Sequence, residues 1–315
     1  MATERIYSAN GKVLLSGEYL VMNGALALGL PTSLGQKMTI KESSGSDIVW
    51  ESFLPDGSLW FSGKFDLFGF ESIKTSDEGM AETLSKIFES SVRLNSDFLS
   101  KWKKYRVQTH LDFDPGWGLG SSSTLISCIS EWADVDPYDL LATTFGGSGY
   151  DIACAKSEAP IFYQLNGEQG AHIEEASFNP GFSDQLYFVY LGQKQSTREA
   201  LDDYSKLKPS SSHIDEISSI SKSLCEVNKI NDFSRLLNTH ESLVSSILKK
   251  PRVQEERFSD YWGTVKSLGA WGGDFVMATS DRPGTETKDY FTEKGCSEIF
   301  AFSDLAIGKP ALVTP

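Results

Sequence analysis

The sequence predicts an α+β fold in two lobes, on three observations. Residues 1–113 consist mainly of strand-like segments, and residues 197–268 show helical periodicity. Between these regions a glycine-rich loop leads directly into an amphipathic helix. Sheets covered on one side by helices follow from this order of elements. We expect one lobe over residues 1–165 and a second over residues 166–315.

The composition of the chain indicates a globular protein and argues against two kinds of binding partner. It has 315 residues, of which 40% are hydrophobic, enough to bury substantial cores. Its 43 acidic and 29 basic side chains give a net charge of −14, which opposes binding to nucleic acid or to an anionic membrane. We therefore expect neither partner, and a monomer or homodimer.

The N-terminus has no apolar run long enough for a signal peptide, and no stretch of about 18 apolar residues could span a bilayer. These features predict a cytoplasmic protein. The cysteines Cys128, Cys154, Cys225 and Cys296 lack the spacing of a zinc site or a disulfide framework. Buried free thiols are expected instead.

The N-terminal region reads as strands and one helix. Residues 4–22 suggest a strand, a tight turn at Ser16-Gly17-Glu18 and more strand, and residues 45–75 suggest a β meander. Residues 75–95 have the pattern of a single helix. Residues 105–113 alternate as a strand that runs straight into the glycine-rich loop.

That loop spans residues 115–124, Pro-Gly-Trp-Gly-Leu-Gly-Ser-Ser-Ser-Thr, and its helix begins at the serines. A helix start leaves backbone N–H groups without partners and carries partial positive charge, while glycines let the backbone approach a ligand closely. Together they form a cradle for an anion, most often phosphate. An ordinary turn with a helix cap is the alternative. The loop matches neither the P-loop nor the dinucleotide GxGxxG pattern.

The next segments carry a second candidate motif. Asp136-Pro137 favours a helix over residues 137–145, and Ser148-Gly149-Tyr150-Asp151 follows as a flexible turn before an acid. Alone, this turn could be an Asx-capped turn with no further role.

The second half alternates strands and helices. Residues 160–165 and 186–191 read as strands, and residues 192–198 enter a helix, where Ser196 or Thr197 could be a plain N-cap. Helical spacing recurs at residues 213–228, 231–249 and 254–268, which places His213 and His240 on helix surfaces and not on a metal. A glycine-rich turn at residues 269–274 then runs into a strand, and residues 291–302 read as a helix followed by a strand.

These motifs resemble those of the GHMP kinases, closest to the mevalonate and phosphomevalonate kinase members. The matching segments are residues 11–21 (Gly-Lys-Val-Leu-Leu-Ser-Gly-Glu-Tyr-Leu-Val), the loop at 115–124, Ser148–Asp151 and the turn at 269–274. The resemblance implies a ribosomal protein S5 domain 2-like N-terminal lobe and a ferredoxin-like α/β C-terminal lobe. Trp271 and Asp274 stand where members of the family usually have small residues.

The resemblance also implies a site for ATP and Mg²⁺. It assigns Asp151 as the catalytic base, Lys12 as its charged partner, and Ser122 to the metal. Leu140 stands where mevalonate kinases have a metal-binding glutamate, so either the neighbouring Asp139 binds the metal or Mg²⁺ has fewer protein ligands and more water. The implied ATP-phosphate residues are Pro115, Gly116, Gly118, Leu119, Gly120, Ser121, Ser122 and Ser123. The implied acceptor residues are Glu18, Tyr19, Ser148, Gly149, Lys194, Ser196, Thr197, Arg198 and Gly272.

The expected reaction is transfer of the γ-phosphoryl group of ATP to a small anionic acceptor, mevalonate or phosphomevalonate. An ATP-dependent diphosphomevalonate decarboxylase of the same fold is the first alternative. A serine hydrolase is less favoured, because the chain has no GxSxG elbow and four histidines. A non-catalytic relative is disfavoured because Lys12, Ser122 and Asp151 are all present.

Overall fold

The computed structural model describes residues 4–167, 170–192 and 197–307. The strands are β1 Glu4–Ser16, β2 Ala27–Ser43, β3 Asp47–Phe53, β4 Leu59–Asp66, β5 Ser72–Thr75, β6 Lys104–Leu111, β7 Ile161–Leu165, β8 Ala171–Glu175, β9 Leu186–Tyr190, β10 Val265–Leu268, β11 Phe275–Thr279 and β12 Ile299–Ala301. The helices are α1 Glu78–Leu94, α2 Ser121–Ala133, α3 Pro137–Thr144, α4 Tyr150–Ala155, α5 Thr197–Ser205, α6 Ser211–Glu226, α7 Ile230–Leu248, α8 Val253–Arg257, α9 Gly284–Glu293 and α10 Phe302–Leu305.

The chain forms two compact units that interleave along the sequence. Unit 1 comprises the residues up to Gly11, Leu34–Pro115 and Leu119–Lys156. Unit 2 comprises Lys12–Ser33, Gly116–Gly118 and the residues from Ser157 onward. Each unit contains both sheet and helices, which confirms the α+β class. The lobe boundary at residues 165 and 166 stays a prediction.

Unit 1 contains strands in the order β5-β4-β3-β6-β2, where β2 contributes its C-terminal half. The pairs β3–β4, β4–β5 and β2–β6 are antiparallel, so the predicted meander is confirmed, and β3–β6 is parallel. Side chains on β3 and β4 alternate between buried and more accessible. This alternation is typical of a sheet with one covered face.

Helices α1 to α4 complete unit 1. Its core joins sheet aromatics to helix residues, including Trp50, Phe88, Ile129, Leu140 and Ile152. The predicted helices at residues 75–95 and 137–145 are confirmed, with Asp77 and Asp136 as side-chain N-caps. Helix α2 packs against both α3 and α4. The helix that follows the glycine-rich loop is therefore in contact with the helix that begins after Gly149.

Unit 2 contains an antiparallel sheet in the order β10-β11-β9-β12 and the antiparallel series β2-β7-β8, where β2 contributes its N-terminal half. Strand β11 is buried at every position. The glycine-rich turn before β11 is therefore confirmed as a turn that leads into a central strand.

Two secondary-structure predictions are wrong. Residues 20–23 form a short 3₁₀ turn instead of a strand, because a brief apolar run can equally fill a buried turn. The helix predicted at residues 254–268 ends at Arg257, and strand β10 follows. The apolar residues of that stretch have helical spacing, but antiparallel pairing with β11 determines the structure; they are Phe258, Tyr261, Val265 and Leu268.

Two further predictions concern the chain as a whole. The cysteines are unpaired, and Cys128, Cys154 and Cys296 are buried while Cys225 is half-buried. Over the described ranges, none of the helices combines the length and apolar character that crossing a bilayer requires.

Candidate functional site

The loop and helix at residues 118–124 have the geometry of an anion site. Gly120 is the N-cap of α2 in the left-handed conformation, with φ 92°, and no side chain caps the helix. The first intrahelical bond runs from the N–H of Thr124 to the carbonyl of Gly120. The amides of residues 121–123 therefore lie at an uncapped helix start of partial positive charge, where anions bind.

The hydroxyl side chains of this helix start differ in accessibility. Ser122 is exposed, whereas Ser123 is buried. Thr124 is also buried, and its hydroxyl donates to Oε1 of Gln36 at 2.7 Å. Leu119, 1% exposed, anchors the loop in unit 1. Ser122 is therefore the most exposed of the three serines at the start of α2, since Ser121 is half-buried.

The preceding residues, Gly116–Gly118, belong to unit 2 and are fixed there. The ring of Trp117 packs against Phe300, Tyr190 and Phe275, with centroid distances of 5.5, 5.9 and 6.3 Å. The hydroxyl of Tyr190 also donates to the carbonyl of Gly116 at 3.4 Å. These contacts hold the first half of the loop on the ends of β9, β11 and β12.

The second motif begins helix α4. Gly149 is its N-cap with φ 85°, and Asp151 lies half-buried in the first turn. Ile152 beside it is fully buried in the core that also includes Ile129 of α2. Asp151 is therefore carried on a helix that is packed on the helix of the anion site, within unit 1.

The two residues of α3 considered for the metal site differ in burial. Asp139 is exposed in the first turn of α3, whereas Leu140 is fully buried in the core of unit 1. Leu140 serves packing here, and Asp139 presents its carboxylate to solvent. Among the described residues, no three or more His, Cys, Asp and Glu side chains group as a metal site.

The other predicted residues lie as follows. Lys12 is half-buried on β1 in unit 2, and its pairing with Asp151 stays a prediction. Ser148 is half-buried, and Gly272 has φ 77° with open space around its Cα. Lys194 and Ser196 lie outside the described residues. Thr197 and Arg198 begin α5, and their side chains also lie outside the described part of the chain.

Glu18 and Tyr19 are buried in unit 2. Tyr19 has φ 62°, unusual for a residue other than glycine, and its hydroxyl accepts a hydrogen bond from the N–H of Trp271 at 2.6 Å. Glu18, 3% exposed, forms an ion pair with Lys266. The turn at residues 16–19 is thereby connected to the glycine-rich turn at residues 269–274.

Glu18 belongs to a buried charged cluster, which we define as Glu18, His240, Glu241 and Lys266. The ammonium of Lys266, fully buried, donates to Glu18 and to the carbonyl of Ser267. Nε2 of His240 lies 3.0 Å from Oε2 of Glu18 and accepts from the N–H of Gly17 at 3.2 Å. Oε1 of Glu241 accepts from the N–H of Ser267 at 3.0 Å.

Burial and charge set the protonation states in this cluster. Burial alone would raise the pKa of Glu18, but the charges and hydrogen bonds of Lys266 and His240 together outweigh it and lower that pKa to about 2. Burial raises the pKa of Glu241 to about 8. Burial and the charge of Lys266 lower the pKa of His240. These shifts favour an ionised carboxylate at Glu18 and a protonated, neutral carboxyl at Glu241 near pH 7.

Most of this cluster does not follow from the sequence pattern. His240 was predicted on a helix surface, and this is wrong: it is 1% exposed because α7 turns it towards Gly17 and Glu18. Lys266 lay in the stretch mistaken for a helix. One signal was available, since a lysine inside a buried strand needs an acid partner, but that partner lies 248 positions away.

Glu241→Gln is expected to make the protein more stable at alkaline pH. Because folding raises the pKa of Glu241 from 4.5 to about 8, its contribution to stability is fully present below pH 4.5 and is lost as the pH rises through about 8. The amide cannot ionise, so the variant should unfold at higher denaturant than the parent at pH 8–9. The difference should shrink towards pH 5. Urea titrations at several pH values would measure this; an advantage independent of pH would contradict it.

Comparison with known proteins finds matches among solved structures. The chain matches no protein-family model and no curated protein. The L. major mevalonate kinase in complex with R-mevalonate is 17% identical, with a TM-score of 0.66, and 95% of each chain is covered. The Streptococcus pneumoniae phosphomevalonate kinase in complex with phosphomevalonate and AMPPNP is 15% identical, with a TM-score of 0.69, over 94% of this chain and 99% of that one.

The Lactococcus lactis galactokinase complexed with galactose is 12% identical, with a TM-score of 0.64, over 97% of this chain and 94% of that one. These likenesses extend over nearly the whole of each chain. The chain therefore has the GHMP kinase fold, as the motifs predicted.

Proposed function

We propose that the protein is an ATP-dependent phosphotransferase that moves the γ-phosphoryl group of ATP to a hydroxyl or phosphate of mevalonate or phosphomevalonate. The observation that carries the proposal is the uncapped, glycine-led start of α2 with the exposed Ser122. It stands on a fold shared with kinases of small molecules. Phosphoryl transfer depends mainly on positioning and charge stabilisation, which such a loop supplies.

The first role belongs to the loop at residues 115–123. Its amides would hold the phosphate oxygens of ATP, and the start of α2 would offset part of their negative charge. Mg²⁺ would neutralise charge on the phosphates, and the exposed oxygens of Ser122 and Asp139 are donors of the kind it prefers. Mg²⁺ retains several water ligands in such sites, so few protein ligands are needed.

The second role belongs to Asp151 and Lys12. The carboxylate of Asp151 would take the proton of the acceptor hydroxyl as that oxygen attacks the γ-phosphorus. The bond from the γ-phosphorus to the bridging oxygen then breaks, and ADP leaves with the electron pair. Where the acceptor is phosphomevalonate, the attacking phosphate oxygen is already ionised, so no base is needed and Lys12 would offset its negative charge. Lys12 would pair with Asp151 and stabilise the transferring charge.

The acceptor is inferred from two features. The Glu-Tyr-Leu-Val and Gly-Tyr-Asp variants of the motifs are closest to phosphomevalonate kinases, and Lys194 and Arg198 would supply positive charge for an anionic acceptor. The two structures with related acceptors support this choice, because they contain R-mevalonate and phosphomevalonate. Galactose in a third structure makes a neutral sugar the alternative to test.

A panel of acceptors tests the proposal. ADP release would be followed with mevalonate, phosphomevalonate, diphosphomevalonate, homoserine, galactose and a heptose phosphate, with carbon dioxide monitored in parallel. We expect turnover with mevalonate or phosphomevalonate and no carbon dioxide. Turnover only with a sugar would show that the acceptor is a sugar and not mevalonate or phosphomevalonate. Carbon dioxide release from diphosphomevalonate would identify a decarboxylase. ATP-independent ester cleavage would identify a hydrolase.

Ser122→Ala is expected to raise the Mg²⁺ concentration needed for half-maximal turnover by roughly 10-fold, since a metal-facing oxygen is lost while the loop amides remain. ATP binding in the presence of EDTA should stay unchanged. Thr143→Ala is the control, because that hydroxyl is exposed and bonds only within its own helix. If the Mg²⁺ dependence is unchanged, Ser122 does not bind the metal and is only part of the start of α2.

A further inference from the structure

The backbone turns at Tyr19 through a strained conformation. Tyr19 has φ 62° and ψ −49°, and the N–H of Leu20 donates to the carbonyl of Glu18 at 2.7 Å. These values describe the γ-turn with positive φ, which is rare and strained in folded proteins. A residue other than glycine keeps such a conformation only where its surroundings hold it, and such residues cluster at active sites and ligand clamps. The contacts of Tyr19 therefore indicate what the turn does.

The side chain of Tyr19 joins this γ-turn to two other segments of unit 2. Its hydroxyl accepts from the N–H of Trp271, in the glycine-rich turn at residues 269–274, at 2.6 Å. Its ring centroid lies 5.2 Å from that of Tyr204, which belongs to α5. The hydroxyl of Tyr204 in turn donates to Oδ1 of Asn23 at 2.6 Å. Both tyrosine rings are buried, so the three segments meet in a packed group.

The resemblance to GHMP kinases assigns acceptor residues to each of these three segments. Glu18 and Tyr19 lie on the γ-turn, and Gly272 lies in the glycine-rich turn. Thr197 begins α5. Yet the polar groups of Glu18 and Tyr19 already have partners within the protein, because the carboxylate of Glu18 is paired with Lys266 and the hydroxyl of Tyr19 accepts from a backbone amide. Both side chains are also less than 10% exposed.

We propose that Tyr19 is a positioning residue for the acceptor, whose hydroxyl holds the turn at residues 269–274 against the γ-turn so that the acceptor meets segments already in place. This inference rests on the proposed function, which supplies the acceptor. It replaces the direct acceptor contact that the resemblance implies for Tyr19. Binding to segments already ordered costs less free energy than binding to segments that must first be ordered. Loss of the hydroxyl should therefore weaken acceptor binding and leave the chemical step nearly unchanged.

Steady-state kinetics of Tyr19→Phe test the proposal, because this change removes the hydroxyl and keeps the ring. The varied substrate is mevalonate or phosphomevalonate, whichever of the two the parent uses. The KM of that acceptor should rise at least about threefold, within the usual worth of one hydrogen bond, while kcat and the KM of ATP stay within about twofold. A purely structural role would lower the melting temperature and the amount of folded enzyme without changing KM. A smaller rise in the acceptor KM, or a rise in the KM of ATP alone, overturns the inference.

Two further measurements use the same protein. Should Tyr19→Phe fail to fold, Tyr19→Met removes the hydroxyl with a flexible apolar side chain that can fill the space, and the same rise in KM is expected. Hydrogen exchange followed by NMR needs no substrate: the amide of Trp271 should exchange at least about threefold faster in Tyr19→Phe than in the parent, because its acceptor is lost. An unchanged exchange rate overturns the inference.

The matched control is Tyr261→Phe. It removes another buried tyrosine hydroxyl of unit 2, one that donates to the backbone carbonyl of Thr279 at 3.0 Å. The acceptor KM of this variant should stay within about twofold of the parent, and an equal rise in both variants overturns the inference.

Failure of the inference can be told apart from failure of the proposed function. Faster exchange at Trp271 in Tyr19→Phe with an unchanged acceptor KM contradicts only the role of Tyr19. A parent that turns over a sugar contradicts the choice of acceptor, and the same comparison of KM with that sugar then decides the role of Tyr19. A parent that transfers phosphate to no acceptor contradicts the proposed function, and the inference with it.

Discussion

Asp151→Asn is expected to lower kcat by roughly 10²–10⁴-fold on an acceptor hydroxyl, the usual worth of a positioned general base. Asparagine has nearly the same shape but cannot take the proton. The affinity for ATP should change little, because the loop amides at the start of α2 remain. Lys12→Met should also slow turnover, and the two losses should be far from additive if the residues act as one unit. Single-turnover rates and ATP titrations measure these effects.

Asp134→Asn provides the matched control. Asp134 is exposed at the other end of α2, in a left-handed conformation that asparagine tolerates. It should leave kcat unchanged. If Asp151 served only to stabilise the start of α4, its variant would lose about 1 kcal/mol of stability and keep a near-normal kcat. If the Asp151→Asn variant is less stable but keeps a near-normal kcat, Asp151 is not the catalytic base.

Lys266→Met is expected to destabilise the protein by about 3–5 kcal/mol, because it leaves the carboxylate of Glu18 buried without its cation. This is a large share of the 5–15 kcal/mol that typically separates folded from unfolded proteins. Denaturant titration near pH 7 would measure it. Because the variant frees Glu18 to take up a proton, the loss should lessen as the pH falls.

Two comparisons separate this effect from a general sensitivity to mutation. In the double variant Glu18→Gln with Lys266→Met, the loss should be smaller than the sum of the two single losses, since no unpaired charge remains. Lys206→Met removes a surface pair with Asp203 at 2.9 Å, both side chains about 70% exposed, and should cost far less stability than Lys266→Met. Equal losses for Lys266 and Lys206 would contradict the importance of the buried cluster.

The parts of the fold that local sequence determines were predicted well. Alternation in β3 and β4, the caps Asp77 and Asp136, and the glycine-led start of α2 are each encoded within a few residues. The segment at residues 258–268 could not be predicted this way. Its apolar spacing fits a helix, and only pairing with β11 selects a strand for its last four residues.

The residues of the candidate site also differ in whether a local sequence pattern predicts them. The loop, Ser122 and Asp151 were predicted because each lies in a short motif at a helix start. The charged cluster depends on contacts between residues more than 200 positions apart, such as Glu18 with Lys266 and Gly17 with His240. No local sequence pattern predicts contacts between residues so far apart in the chain. The hydrogen bond from the N–H of Trp271 to Tyr19 is another such contact, over 252 positions.

The fate of the γ-phosphorus of ATP tests the central claim most directly. ATP labelled at the γ-phosphorus would be incubated with Mg²⁺ and either mevalonate or phosphomevalonate, and the products separated. The account predicts that the label appears covalently on the acceptor in an amount equal to the ADP formed, and that Asp151→Asn slows its appearance on the mevalonate hydroxyl. Label recovered only as inorganic phosphate, or no acceptor-dependent ADP at all, would contradict the account.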